Sequence, residues 1–333
     1  MQTEIVEAQS AVARAVELLR SGEVVALPTE TVYGLAADAT NPTAVAKIFA
    51  AKERPRFDPL IVHLPARDSL DAAAQVKSDL VSSLIDRFWP GPLTIILRKR
   101  ETIPDIVTAG LQTVALRMSA HPVFHQIIRA FGRPLAAPSA NRFGRISPTS
   151  AQHVYDELAD RIPLIVDGGA TTHGVESTIV QIVDGTIEIL RAGPITAEML
   201  GQFARVRTRA AGDRIIAPGQ LPSHYAPRTK LILVDDPAAF QPPESLRIAA
   251  LCFRPLSRAE RSEVEGSRRA TSKFTEVREL TATGDLAEAA ANVFRLLREL
   301  DALGLDLIVA EKVPHEGIGI AINDRLQRAA ASA

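Results

Sequence analysis

A chain of 333 residues with 46% hydrophobic and 23% charged content has room for two ordinary domains, each with its own core. A net charge of −1 gives no global field that would draw it onto nucleic acid or anionic lipid, so any contact with RNA, a weak one to tRNA included, would come from a local patch. The single cysteine, Cys252, excludes an internal disulfide framework and a cysteine-rich zinc site.

The opening residues, Met1 to Glu7, are polar and acidic rather than basic then apolar, and no apolar run approaches the ~20 residues of a membrane span. The expectation is a cytoplasmic protein with no membrane partner. Helical spacing of Val12, Ala15, Val16 and Leu19 predicts a helix over 11–20, broken by Gly22. Strands are predicted at 24–27, 60–64, 93–97, 114–118, 135–137, 164–166, 177–183 and 186–190, and helices at 42–51, 79–88, 122–131 and 148–159. Asp184-Gly185 is a hairpin signal, so the sheet is at least partly antiparallel. These elements make one mixed α/β domain over 1–203.

Residues 204–228 hold several arginines and prolines and predict a linker without regular structure, although His224 and Tyr225 are unusual in a spacer. From 229 to 333 the pattern is α/β again. Strands are expected at 230–234, 247–253 (with Cys252 buried in it) and 307–309, with a helix over 285–300. Asp285 and Glu288 have capping-box spacing at the start of that helix. A small Rossmann-like domain is the expectation.

The chemistry is not that of a familiar machine. No Gly-Lys-Ser/Thr loop holds phosphates, and there is neither a His-Glu-x-x-His zinc motif nor a nucleophile elbow. The segment from Gly317 to Ile322 matches only two glycines of a dinucleotide fingerprint and reads as a helix-start turn.

The run PTETVYGLAADA (28–39) follows an apolar strand, is too polar for the core, and reads as a loop at a strand end, where α/β sheets place ligands. Lys52, Arg54 and Arg56 follow the next helix. His63 and Arg117 end strands, Ser139 and Asn141 follow another, and Ser147, Ser177 and Arg191 close the set, with Thr113, Ala115 and Arg117 on one strand face. Each has a structural reading: a satisfied histidine, an ion-paired arginine, capping residues. Their coincidence at strand ends points to binding of phosphate and carboxylate.

Taken in order, PTETVYGLAADA, Lys52-x-Arg54 with PLIVH (59–63), FWPGPLTIIL (88–97), TVALRM (113–118), PSAN (138–141), ISPTSA (146–151), GVESTIV (174–180) and LRAGP (190–194) resemble the threonylcarbamoyl-adenylate synthase family, built on the YrdC-like domain. The tail, with Ser223-His-Tyr-Ala-Pro227 and GIGIAINDRLQRAA (317–330), resembles its longer form. Ser119 and Ile146 stand where prolines are more usual, and Phe143 where the family often has a small residue.

The resemblance implies a YrdC-like catalytic domain over 1–203, a lid-forming linker over 204–228 and a Rossmann-like domain over 229–333. It implies synthesis of threonylcarbamoyl-adenylate from L-threonine, bicarbonate and ATP, for proteins that modify tRNA downstream. It assigns Thr29, His63, Arg117, Ser139 and Ser177 to threonine. Lys52, Arg54, Arg56, Thr113, Asn141, Ser147 and Arg191 fall to ATP with Mg2+, Lys52 and Arg54 being the catalytic pair, and Tyr225 closes over the nucleotide. Two rival readings stand beside it. An RNA-binding module without turnover would show steeply salt-dependent RNA affinity. A carbamoyl transferase of hydrogenase maturation would need zinc fingers that one cysteine cannot build.

Overall fold

Alternating apolar residues set the first architectural rule, because a strand with two apolar faces must be covered on both. The computed structural model describes residues 2–209, 216–219, 224–241, 245–254 and 274–331. It divides into two units, 1–143 with 147–221 and 144–146 with 222–333.

The first unit is built on a mixed sheet of twelve strands among the described residues. They are β1 (Glu4–Glu7), β2 (Val25–Leu27), β3 (Gly34–Asp38), β4 (Ile61–His63), β5 (Ala74–Gln75), β6 (Leu93–Lys99), β7 (Thr113–Arg117), β8 (Leu135–Ala136), β9 (Leu164–Asp167), β10 (Thr178–Val183), β11 (Thr186–Arg191) and β12 (Val206–Thr208). Across the sheet the order is β1-β9-β2-β3-β8-β4-β7-β6-β10-β11-β12, with β5 paired to β6. The helices that matter are α1 (Ala8–Arg20), α2 (Pro42–Lys52), α3 (Asp79–Phe88), α4 (Pro122–Phe131) and α5 (Ala151–Leu158).

One face of the sheet is covered by α2, α3 and α5, whose Val45, Ile48, Leu84, Ile85 and Val154 pack on Leu35, Val62, Ile95 and Leu116. On the other face α1 and α4 cover only the β9–β2–β3–β8 half, through Leu19, Phe124 and Ile127 on Val25, Leu27 and Val166. Beyond that half the same face carries Ile61, Ile96, Ala115, Ile179 and Leu190, and what packs there is a short piece of the linker, Ile216 and Ala217.

Two sequence expectations are overturned. The stretch 28–39 is fully buried, and its second half is strand β3, antiparallel to β2 and β8. Its polar side chains are satisfied internally, and Gly34, Ala36 and Ala37 are small enough for a strand flanked on both sides. The linker is not devoid of regular structure either, since β12 adds to β11 in parallel. The expected helix over 148–159 begins three residues later, because the Ser150 side chain accepts the His153 N–H and fixes the N-cap there.

The second unit is a four-stranded parallel sheet, β13 (Lys230–Val234), β16 (Leu307–Glu311), β14 (Ile248–Cys252) and β15 (Glu276–Glu279), in that spatial order. Helix α6 (Leu286–Asp301) is capped by Asp285, which accepts the Glu288 N–H at 2.7 Å. The Glu288 carboxylate completes no capping box; it accepts instead from the Thr281 hydroxyl at 2.5 Å. Helix α7 (Gly319–Ala330) starts at the Gly317–Gly319 turn. Cys252 is buried in β14.

Gly193 sets the close approach of the chain after β11 to the start of β10. A Cβ there would lie 2.4 Å from the Thr178 nitrogen and 2.5 Å from the Glu176 oxygen. Gly193→Ala should therefore cost about 1–3 kcal/mol and displace Ser177. Urea unfolding should show the lower midpoint, and an unchanged midpoint would mean that the backbone yields there freely.

Candidate active site

Register explains why distant segments meet on the open half of the sheet. In the β4–β7 ladder His63 pairs with Arg117. In the β6–β7 ladder Ile95 opposes Leu116, so Thr94 stands opposite Arg117. The Thr94 and Ser177 hydroxyls are 2.8 Å apart. Period-two alternation puts His63 with Ile61, Arg117 with Ala115 and Thr94 with Ile96, on the face where the linker docks. A polar row thus crosses the strands at their ends, with an apolar patch beside it.

Arg117 anchors that row. Its Nε donates to the Gly91 carbonyl at 3.2 Å, Nη1 to the Thr31 hydroxyl at 3.0 Å, and Nη2 to Glu30 Oε1 at 2.6 Å. Ser119 donates to the other Glu30 oxygen. Burial opposes ionisation of Glu30, but the Arg117 charge and the Ser119 and Arg117 hydrogen bonds prevail and hold the carboxyl at about 2. His63 is buried with its ring 4.7 Å from that of Phe124. Burial, reinforced by the Arg117 charge, lowers it to about 3, so it is neutral at physiological pH. His121 and His173 are also pushed down by burial, against the pull of Glu30.

Thr29 does not face outward. Its hydroxyl donates to the Val32 carbonyl at 2.6 Å and accepts the Thr31 and Val32 N–H groups, which locks the turn that aims Glu30 and Thr31. Tyr33 supports the turn from behind by donating to the Gly169 carbonyl at 2.7 Å, and burial raises its phenol.

A second group gathers at the end of α2. Lys52 is buried and donates to the Ser139 carbonyl at 2.5 Å and to the Asn141 carbonyl. Burial, then the Arg54 charge, lowers its proton affinity well below the usual lysine range. Arg54 is ion-paired with Asp58 at 2.8 Å and lies against the Phe143 ring. The Ser139 and Asn141 backbones hold Lys52, and the bridge between Ser139 and Gly34 ties this group to the Thr29 turn.

Arg191 joins the two groups. Its Nη2 donates to the Ser177 hydroxyl at 3.0 Å and its Nε to the Ser177 carbonyl at 3.1 Å, while its charge acts on Asp58. Nη1 donates to the Pro218 carbonyl of the linker at 3.5 Å. Ser147 donates to Glu176, next to Ser177.

Two expected residues of the first unit lie apart. Arg56 is exposed, and Thr113 is at the opposite end of β7 from Arg117. Tyr225, expected over a nucleotide, belongs to the second unit. Its ring stacks on Phe294 at 5.4 Å, with the Arg325 guanidinium 5.3 Å from its centroid, and it is buried. Linker residues 210–215 and 220–223 lie outside the described residues. Sequence reasoning assigned no role to Glu30, Thr31, Thr94, Ser119 or Asp58. The available signals were an acid within a run next to an apolar strand, and a lone hydroxyl inside the apolar strand 93–97.

Removing one partner of the buried pair should cost about 3–5 kcal/mol in Arg117→Ala, and Glu30→Gln in the same chain should restore much of it. Because Glu30 titrates at about 2 in the folded protein against 4.5 for a free glutamate, it adds roughly 3 kcal/mol at neutral pH, lost as pH falls from about 5 to about 2. Urea midpoints against pH should show this acid slope in the natural chain and a flatter one in Glu30→Gln.

A family model for Sua5, YciO and YrdC proteins, described as telomere recombination, matches residues 17–193. A model for the threonylcarbamoyl-AMP synthase C-terminal domain matches residues 195–331. The threonylcarbamoyl-AMP synthase of Pyrococcus abyssi is 39% identical over 319 residues, 93% of this chain and 91% of that protein. The Bacillus subtilis protein of the same name is 39% identical over 325 residues, 96% of this chain and 92% of its own length. Among solved structures, P. abyssi Sua5 complexed with L-threonine matches with a TM-score of 0.84 at 35% identity, over 99% of this chain and 98% of that one.

Proposed function

The chain belongs to the threonylcarbamoyl-AMP synthase family in its long form, and we propose that it joins L-threonine, bicarbonate and ATP into L-threonylcarbamoyl-adenylate with release of pyrophosphate. It is on this reading a nucleotidyl-transferring enzyme, and its product goes to proteins that modify tRNA in the cytoplasm. Among the described residues no helix is long and apolar enough to cross a membrane.

The observation that carries the proposal is the double attachment of Arg191, hydrogen-bonded to Ser177 in the polar row and coupled by charge to the Lys52–Arg54–Asp58 group. The reaction needs such a junction, because an amino acid and a nucleotide must meet at one bond. Bicarbonate gives carbon dioxide and hydroxide, the hydroxide takes a proton from the threonine ammonium to make water, and the free amine bonds to the carbon and passes a second proton to solvent, which leaves a carbamate. A carbamate oxygen then attacks the α-phosphorus, and the bond to pyrophosphate breaks. Both partners are anions, so the residues act by holding them together and offsetting charge rather than by covalent catalysis.

Arg117 receives the threonine carboxylate with its remaining N–H groups, already oriented by Glu30, Thr31 and Gly91. His63, Thr94 and Ser177 surround the rest as neutral hydrogen-bonding groups. Lys52, Arg54 and Arg191 hold the polyphosphate. Mg2+ enters on the phosphates, and no cluster of three or more metal-binding side chains stands among the described residues. The linker closes the site by seating Ala217 on the apolar patch and Pro218 on Arg191.

Pyrophosphate release should require ATP, threonine and bicarbonate together, and equal release without threonine would refute the assignment. Serine should be the nearest competitor, since one lost methyl forfeits only ~1 kcal/mol. Arg117→Lys, which keeps a charge for Glu30 but loses the fork, should weaken threonine binding by roughly 1.5–3 kcal/mol and spare ATP. Ala217→Asp, by lifting the linker, should slow turnover in a folded protein; full turnover would reduce this stretch to a tether.

A further inference from the structure

The loop between α2 and β4 places one acid among the cations assigned to the nucleotide. Asp58 is 1% exposed, and neither carboxylate oxygen accepts a hydrogen bond from a described residue. A buried acid in that condition calls for a reason. Its ion-pair partner is Arg54, 2.8 Å away, which also donates to the Asp58 carbonyl at 3.3 Å and to the Pro59 carbonyl at 2.9 Å. Arg54 is thereby folded back on its own loop.

Three cations face the Asp58 carboxylate: Arg54 from its own loop, Lys52 from the end of α2 and Arg191 from the end of β11. Glu157 of α5 acts on Lys52. Burial raises the proton affinity of Asp58 despite those three charges. Without the acid, three buried cations would repel one another. With it, an incoming triphosphate meets a like charge inside the cluster built to receive it.

We propose that Asp58 is a positioning residue of the nucleotide site: its carboxylate takes the place of a phosphate while the site is empty, holding Arg54 on the loop, and releases Arg54 when the triphosphate arrives. This rests on the assignment of ATP to Lys52, Arg54 and Arg191. After the exchange the carboxylate faces the polyphosphate across the same cations, so its charged form opposes binding and its protonated form does not. Nucleotide affinity therefore falls as pH rises above the titration of Asp58 in the free protein and levels off above its titration in the complex. Lys52, whose proton affinity burial also lowers, weakens binding with rising pH in a variant and the natural chain alike, so its effect cancels in their ratio.

The test is calorimetric binding of α,β-methylene-ATP with Mg2+ to the full chain, to Asp58→Asn and to Asp58→Ala, between about pH 6 and 9. Asp58→Asn should bind roughly tenfold tighter than the natural chain where the Asp58 carboxylate is charged, with the ratio closing toward one as pH is lowered. In turnover it should lower KM for ATP and lower kcat as well, because Arg54 is no longer set by its partner. Asp58→Ala should show the same ratio if the amide disturbs the fold. The natural chain alone gives a third reading, since titration in buffers of different ionisation enthalpy near pH 7 should register proton uptake. A ratio that does not move with pH, weaker binding by both variants at every pH, or no proton uptake overturns the proposal. Failure of all three proteins to bind the analogue overturns the ATP assignment itself.

Discussion

The buried Arg117–Glu30 ion pair is the constraint around which the first unit is arranged. Taking two charges out of water costs several kcal/mol per ion, and their attraction offsets that only where the remaining donors and acceptors are satisfied. Three stretches meet that demand: Thr31 from the turn after β2, Gly91 before β6 and Ser119 just beyond the end of β7. A pair satisfied from so many directions pins the turn after β2 to the strand ends. The Glu30 carbonyl extends the network by accepting from the Thr172 hydroxyl and the His173 N–H. The Ser119 hydroxyl supplies the donor for the second Glu30 oxygen.

The same constraint explains how the sheet is divided. Helices α1 and α4 cover the half whose outward residues are aliphatic, and Phe124 of α4 reaches the ring of His63 at the border. Past that border the strand ends carry charge and hydroxyl, which no apolar helix face could cover without leaving polar groups unsatisfied. What lies there among the described residues is a linker segment whose Ala217 and Pro218 are buried, with Ile216 packed alongside and the Pro218 carbonyl turned to Arg191.

The strand and helix patterns were legible because apolar alternation and helical spacing are local properties: β6, β7, β10 and β11, and helices α2, α3 and α4, fall where the sequence places them. β3 was hidden, since Gly34, Ala36 and Ala37 carry little hydrophobic signal and the preceding threonines and glutamate read as surface. Their burial depends on Arg117, more than eighty residues away, and only long-range pairing reveals it. The cations at strand ends could be read from the chain, but not the acids that neutralise them. Glu30 and Asp58 look like ordinary surface carboxylates in sequence, and it is their positions beside Arg117 and Arg54 that make them part of the site.

The linker shows how far sequence composition can take a functional argument. Its prolines and its His-Tyr pair marked it as more than a spacer, and it is indeed shared between two cores. Ala217 enters the apolar cluster of the first unit, whereas Tyr225 stacks on Phe294 and meets the Arg325 guanidinium in the second. Tyr225 adopts a φ of +66°, a strained value for a side-chain-bearing residue, and its ring packing holds it there. The contact with Arg191 comes from the Pro218 carbonyl. A site assembled in this way draws on the linker backbone as well as on side chains.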